Sequence, residues 1–224
     1  MCGLSGYFDP RGQRPIDRAL LSRMNDAIRH RGPDGDGIHL APGVGLAHRR
    51  LAIIDVVHGA QPLYNEDDTV AIVFNGEIYN FQPLMAELES LGHTFRTRCD
   101  TEVIVHGWEE WGPDCVKRFR GMFAFALWDS NTETLFMARD RLGKKPLYYA
   151  VLPDETLIFA SELKALMCHP GFKRDIDPRA VEDYFALGYV PEPRTIYQGA
   201  AKLEPAERMV WRRGGAMKRD IYWH

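Results

Sequence analysis

The sequence predicts an α+β fold in which antiparallel sheets are flanked by helices, stacked as a layered sandwich rather than closed into a barrel. Three observations carry this. Four β-type runs, MFAFALWD (122–129), TLFMARD (134–140), LYYAV (147–151) and TLIFA (156–160), follow one another with turn residues between them and read as an antiparallel meander. Helix-periodic segments stand before and after these runs instead of alternating strictly with single strands. The near-continuous apolar run MFAFAL predicts a strand covered on both faces, as the inside of a stack of layers requires.

Taken in order, residues 3–8 (GLSGYF) read as a short strand, and Ile16 to His30 as a helix with Leu20, Leu21, Met24, Ala27 and Ile28 on one face. The turn cluster RGPDGDG (31–37) stops it. Short β-rich runs follow at Val44–His48, Leu51–Ile54 and Val70–Phe74. Phe81, Leu84, Leu88 and Leu91 then recur at helical spacing, and a second helix begins near Thr101. After the meander, SELKALMC (161–168) returns to helix, as does PRAVEDYFALG (178–188), where Pro178 suits an early helical position. There is no internal repeat and no low-complexity segment. From Pro178 onwards the chain is richer in Pro, Arg and aromatic residues, and it stops at DIYWH without a turn or capping signal. Residues 1–177 are read as one domain and the tail, 178–224, as a chain cut short.

The composition narrows the function classes. With 45% hydrophobic and 26% charged residues in 224, the chain has the makings of an ordinary globular core. A formal net charge of -3, with Arg49-Arg50 and Arg212-Arg213 as the longest basic pieces, gives no field for nucleic acid. No apolar run suits a membrane span or an export signal, so no membrane partner is expected. The four cysteines, Cys2, Cys99, Cys115 and Cys168, are far apart without CxxC spacing, which argues against a cysteine zinc site and a disulfide framework and fits a reducing cytoplasm. No metal ligand is expected.

Position 2 carries the strongest chemical clue. Once Met1 is removed, Cys2 bears a thiol and a free α-amino group on one residue, a nucleophile with its own base attached. By itself a cysteine there is more often inert. Other polar residues interrupt the apolar pattern: Arg50 after GLAHR, NGE (75–77) after VAIVF, and Asp100 ahead of a helix. Alone, Arg50 also reads as a solvated strand end, Asn75-Gly76 as a turn dipeptide and Asp100 as a helix cap. Together with Cys2 they supply cation, anions, oxyanion donors and nucleophile, the set needed to recognise an amino-acid amide and attack it. Cys99 is a poor rival because Asp100 beside it disfavours a thiolate, and Cys115 and Cys168 lie on helix-like segments without basic partners.

MCG at the start, RHRGPD (29–34), HRRLAIID (48–55), GAQPLYN (59–65), FNGEIYN (74–80), CDTEV (99–103), GMFAFALWD (121–129), RDRLGKKPLYY (139–149) and ASELKAL (160–166) resemble, in this order, the glutaminase domain of glutamine-dependent asparagine synthetases. These are class II glutamine amidotransferases of the N-terminal-nucleophile hydrolase superfamily. The resemblance runs to about residue 210 and implies a four-layer αββα sandwich of two antiparallel sheets. It also implies roles. Cys2 attacks the side-chain amide of L-glutamine, its α-amino group moves the proton, and a γ-glutamyl thioester forms and is hydrolysed. Asn75 and the N–H of Gly76 form the oxyanion hole. Arg50 grips the α-carboxylate, Asp100 with the main chain around Glu77 holds the α-ammonium, and backbone groups of Leu51, Ile53 and Ile54 line the pocket. Arg49 is left as a surface charge and His48 as structural.

No SGGxDS pyrophosphatase loop and no Walker GK[ST] motif occurs in the chain. ATP and magnesium are thus expected only with a synthetase domain outside it, no cofactor is expected within it, and the chain reads as the amino-terminal piece of a longer enzyme that passes ammonia to an activated acceptor. The family favours aspartate, although the branch includes enzymes with cell-envelope or secondary-pathway acceptors, and the pocket motifs read glutamine, not the acceptor. A non-catalytic glutamine-sensing or scaffolding domain, or an amidase for another substrate, is the contrasting reading; Cys2 argues against the first and Arg50 with Asp100 against the second. A homodimer is left open.

Overall fold

The computed structural model describes residues 1–12, 14–53, 55 and 58–224. Two six-stranded antiparallel sheets stack face to face. In the first, β1 (Gly3–Phe8) is central, between β3 (Val44–Arg50) and β9 (Leu157–Ala160). Outside β3 lies β2 (Gly35–Ala41), and outside β9 lie β8 (Tyr148–Val151) and β10 (Ala201–Lys202). The second sheet runs β4 (Leu63–Tyr64), β5 (Val70–Ile78), β6 (Gly121–Asp129), β7 (Thr134–Arg139), β11 (Glu207–Arg212) and β12 (Lys218–Ile221). Helices α1 (Arg18–Asp26) and α4 (Leu163–Leu166) cover the first sheet, while α2 (Phe81–Ser90) and α3 (Glu102–Trp111) cover the second. A further helix, α5 (Pro178–Leu187), buries only Ala180. The order of layers is αββα, as the sequence resemblance implied. Among the described residues no helix is long and apolar enough to cross a membrane.

Strand β6 shows why the layers hold. Its Phe123, Phe125 and Leu127 pack with Val103 and Trp108 of α3, while Ala124, Ala126 and Trp128 on the opposite face meet Leu4, Phe8 and Leu46 of the first sheet. Period-two alternation sends each set to a different core, so a run that looks uniformly apolar serves two interfaces. On the outer side of the first sheet, Leu20, Leu21 and Met24 of α1 pack with Tyr7, Ala47 and Ile158.

The expected meander is instead two hairpins in different sheets, β6–β7 in one and β8–β9 in the other. Asp140, 1% exposed, causes the departure. Its carboxylate accepts the N–H groups of Leu142, Phe123, Lys144 and Lys145 at 2.9–3.1 Å, which curls the chain away from β7. Arg139 donates to the carbonyls of Gly143, Lys145 and Leu203 and fixes the crossing. RDRLGKK thus serves the connection between sheets.

Other boundaries differ from expectation. The turn cluster at 31–37 gives way at Gly35 to edge strand β2, paired with β3. Residues 51–53 form no strand, because the Leu51 N–H goes to Cys2 Sγ and the Ala52 N–H to the Asp34 carboxylate; Ile54 lies outside the described residues. The helix expected over 16–30 stops at Asp26 and is followed by a 3-10 turn, Arg29–Arg31. Asn75-Gly76 is not a turn, since β5 continues to Ile78 with Asn75 opposite Ala124 and Gly76 opposite Phe123. The segment 178–224, read from the sequence as leading towards a further domain, supplies α5 and the strands β10 to β12, which complete edges of both sheets.

Candidate active site

At one end of the sandwich the space between the sheets opens into a cleft of about 180 Å³. Strand alternation decides which side chains reach it. In β1, Leu4 and Phe8 point between the sheets, and Cys2 is in phase with them. In β3, Val44 and Leu46 do the same, which brings His48 and Arg50 to that side and turns Arg49 to the outer face. In β5, Ala71 and Val73 face the inner core, and Asn75 and Glu77 follow in phase. Cys2, Arg50, Leu51, Ile53, Asn75, Gly76, Glu77 and Asp100, all the described site residues expected from the sequence, line this one cleft, together with Met1.

The Cys2 sulfur is held from several sides. The Leu51 N–H donates to Sγ at 3.3 Å, and the Cys2 carbonyl accepts from Arg31 Nε at 2.9 Å. Arg31 is itself braced by Glu162 at 2.9 Å. A side chain on Gly32 would collide with the backbone of Arg49 and Arg50, and Asp34 accepts the Ala52 N–H at 2.9 Å. RHRGPD is therefore the strap that fixes Cys2, Arg50 and the Leu51 segment relative to one another.

Facing the sulfur side of the cleft is an edge of β5 with unspent donors. The N–H of Phe74 points to Gln61 Oε1 (2.6 Å) and that of Ile78 to Asp100 Oδ2 (2.8 Å), both away from β6. With a repeat of two residues, the Gly76 N–H between them points the same way, into the cleft. Asn75 is 1% exposed, and its Nδ2 has no hydrogen-bond partner among the described residues. A buried amide donor left unpaired costs about 1–3 kcal/mol, so its retention at a cleft asks for a ligand. Gly76 is required here because a Cβ would run into the Met122 carbonyl oxygen.

The charged groups lie on opposite sides. Asp100, 3% exposed, has its carboxyl pushed up from the ordinary range by burial, with Glu77 adding to the effect. A cation entering the cleft relieves both. Asp100 is not the helix cap, which falls at Thr101; its carboxylate is spent on Ile78. The Arg50 guanidinium donates to the Asp55 carbonyl at 2.7 Å. Arg49, expected as a surface charge, has an 11% exposed side chain paired with Asp26 and Asp36, because the outer face of β3 is where α1 packs.

His48 is fully buried, with Nε2 3.0 Å from the Phe74 carbonyl, and so ties the two sheets together beside Asn75. Burial holds its pKa at about 4, so the folded protein keeps it neutral. Because the unfolded side chain protonates near 6.5, this stability is fully present above about pH 6.5 and drains as pH falls through 4. At 1.36 kcal/mol per pH unit the gap amounts to about 3 kcal/mol, of which roughly 2 is gone by pH 5. Urea unfolding at pH 7 and pH 5 should show His48→Gln losing correspondingly less between the two than the parent; equal losses would contradict a neutral buried imidazole.

Cys99 is unsuited as a nucleophile, its thiol pushed up to about 11 by burial and by Asp100. Burial pushes Cys115 up as well. Sequence reasoning missed Gln61 and Lys145, which also line the cleft, and the Arg31 strap. GAQPLYN, RDRLGKKPLYY and RHRGPD marked them as motifs without revealing their contacts.

Comparison with known proteins decides the family. The family model described as a glutamine amidotransferase domain matches residues 1–223. The chain belongs to this family. This amidotransferase domain is 42% identical over 225 residues to asparagine synthetase [glutamine-hydrolyzing] 1 of Bacillus subtilis, covering 100% of the chain and 35% of that relative. It is 39% identical over 248 residues to a putative asparagine synthetase [glutamine-hydrolyzing] 2 of Methanocaldococcus jannaschii, covering 100% of the chain and 46% of the relative. The chain therefore spans less than half the length of either. Among solved structures, the glutamine phosphoribosylpyrophosphate amidotransferase of B. subtilis, complexed with ADP and GMP, superposes over 99% of this chain and 49% of its own with a TM-score of 0.70 at 20% identity. That likeness establishes the shared fold. The chain is an enzymatic glutamine amidotransferase domain of the kind found in asparagine synthetase-like proteins.

Proposed function

We propose that the domain hydrolyses L-glutamine to L-glutamate and ammonia through a γ-glutamyl thioester on Cys2. The observation that carries this reading is the buried, unpartnered Asn75 Nδ2, beside Gly76 in the same cleft as the Cys2 sulfur. Removal of Met1 frees the Cys2 α-amino group, which takes the thiol proton as sulfur attacks the side-chain carbonyl carbon. The carbonyl oxygen gains charge and is received by Asn75 and Gly76. The amine returns the proton to the leaving ammonia, and water then attacks the thioester, the same amine accepting its proton.

Arg50 takes the α-carboxylate in a two-pronged grip that Lys cannot reproduce, and Asp100 with the backbone at Glu77 takes the α-ammonium. Leu51 and Ile53 line the passage between them. Ammonia then goes to a synthetase domain beyond residues 178–224, where an acceptor activated by ATP with magnesium is amidated, taken as aspartate because the relatives are named asparagine synthetases. The domain itself needs no cofactor for the first half of the reaction.

Intact mass should show Met1 absent in the active form, and that form should release ammonia from glutamine but not from asparagine. Arg50→Lys is expected to raise KM for glutamine about tenfold or more while kcat is kept, since the carboxylate is gripped in ground and transition states alike. An unchanged KM would show that another residue holds the carboxylate.

A further inference from the structure

Away from the cleft, on the outer side of the second sheet, residues from three separate segments converge. Glu66 comes from the loop before β5, His93 from the loop after α2, and His106 and Glu109 from one face of α3. One ligand-type atom from each lies within 4.8 Å of all the others. His106 Nδ1 is 3.1 Å from Glu109 Oε2 and 3.5 Å from Glu66 Oε2, and His93 Nδ1 is 3.7 Å from Glu66 Oε1 and 3.9 Å from Glu109 Oε2. Two atoms bound at 2.0–2.2 Å to one tetrahedral ion are roughly 3.3–3.5 Å apart, so the His106 contacts are already at that spacing and the widest pair, within 4.8 Å, closes by side-chain rotation of about 1 Å.

We propose that Glu66, His93, His106 and Glu109 form a structural binding site for a divalent first-row metal ion of the zinc type.

The surroundings are built as an outer shell should be. The distal nitrogen of each imidazole faces a carboxylate: His106 Nε2 has Glu102 at 3.6 Å, and His93 Nε2 has Glu110 at 3.5 Å. Neither contact is a hydrogen bond, and His106 Nε2 has no hydrogen-bond partner among the described residues, but a shift of about half an ångström would make each a carboxylate–histidine pair of the kind that leaves Nδ1 free to ligate. Glu109 Oε1 accepts from Asn65 Nδ2 at 2.7 Å, and Glu66 Oε1 accepts from the Thr94 N–H at 2.9 Å. Glu102 is anchored by the N–H groups of Arg96 and Thr97.

Charge argues in the same direction. Among the described residues, the ion pairs of Glu66, Glu102, Glu109 and Glu110 are all with these two histidines, with no Lys or Arg side chain among them. A dication at the centre of the set answers this concentration of carboxylates. Four protein ligands leave no open position, which fits bracing rather than catalysis. The brace joins two loops to α3, and the two residues just ahead of that helix, Asp100 and Thr101, line the cleft. The spacing of the cysteines gave no hint of it, because its ligands are imidazoles and carboxylates distant in sequence.

The test uses the whole chain in a Cys2→Ala background, so that the cleft thiol is not a ligand, after stripping with a chelator and dialysis against zinc. One equivalent of zinc retained against a weak chelator, a higher Tm on zinc addition, and a tetrahedral visible spectrum with cobalt are expected. His93→Gln with Glu109→Gln, both at partly exposed positions, should lower zinc affinity at least 100-fold without unfolding the protein, and Glu110→Gln should lower it about tenfold. Failure to retain zinc, or equal retention by the double variant, overturns the proposal. Neither outcome bears on glutamine hydrolysis, since binding and Tm are read without substrate.

Discussion

Replacing Cys2 by alanine is expected to abolish glutamine hydrolysis, with kcat falling by on the order of 10⁴ or more, because no other group in the cleft can form the acyl intermediate. The nearest alternative thiol, Cys99, is held in its protonated form by burial and by Asp100. The variant keeps the donors and the charged grips, so glutamine should still bind and raise the Tm. In the parent protein, an electrophilic glutamine analogue should add its mass to the peptide that begins at Cys2 and to no other. Labelling elsewhere, or measurable turnover by the alanine variant, would remove Cys2 from the mechanism.

The second large effect concerns Asn75. Asn75→Ala should lower kcat by about 10²–10³, equivalent to about 2.7–4 kcal/mol of barrier, with KM little changed, since one of two oxyanion donors is lost and its bond is made chiefly in the transition state. Folding stability should behave differently. Nδ2 has no partner among the described residues, so its deletion takes away a buried, unpaired donor and no native hydrogen bond from that atom. Unfolding in urea is therefore expected to change by less than about 1 kcal/mol or to improve. An Asn75→Ala protein that loses stability and activity together would assign Asn75 to the frame of the cleft instead of to the reaction.

Much of this site was readable from residue types, and its failures have physical causes. Cys2 was found by its place behind Met1, and Arg50, Asn75, Gly76 and Asp100 because they break an apolar pattern; the structure brings all of them to one cleft. Asn75-Gly76 also read as a turn, since local propensity favours one; pairing with Ala124 and Phe123 across the sheet overrides it. The choice between Arg49 and Arg50 was made by resemblance, while strand alternation supplies its cause. The two-hairpin arrangement was hidden because the departure at Asp140 depends on backbone donors spread over residues 123–145, which no local window contains. Strands β10 to β12 are short and fill existing sheet edges, so tertiary pairing rather than hydrophobic rhythm creates them. Arg31 and Gln61 act through single hydrogen bonds to backbone groups far away in sequence.

The central place of β1 also bears on timing during synthesis. The strand beginning at Gly3 is hydrogen-bonded on both sides, to β3 and to β9, and the second of these partners starts at Leu157. At about 5–20 residues per second, a ribosome takes roughly 8–30 s to reach that point. Throughout this interval the first residues of the nascent chain have no complete sheet to lock into, and an aminopeptidase can reach them. Once β9 docks, Met1 is still 57% exposed, so its removal can follow strand docking as well as precede it, and the pace of translation does not limit it.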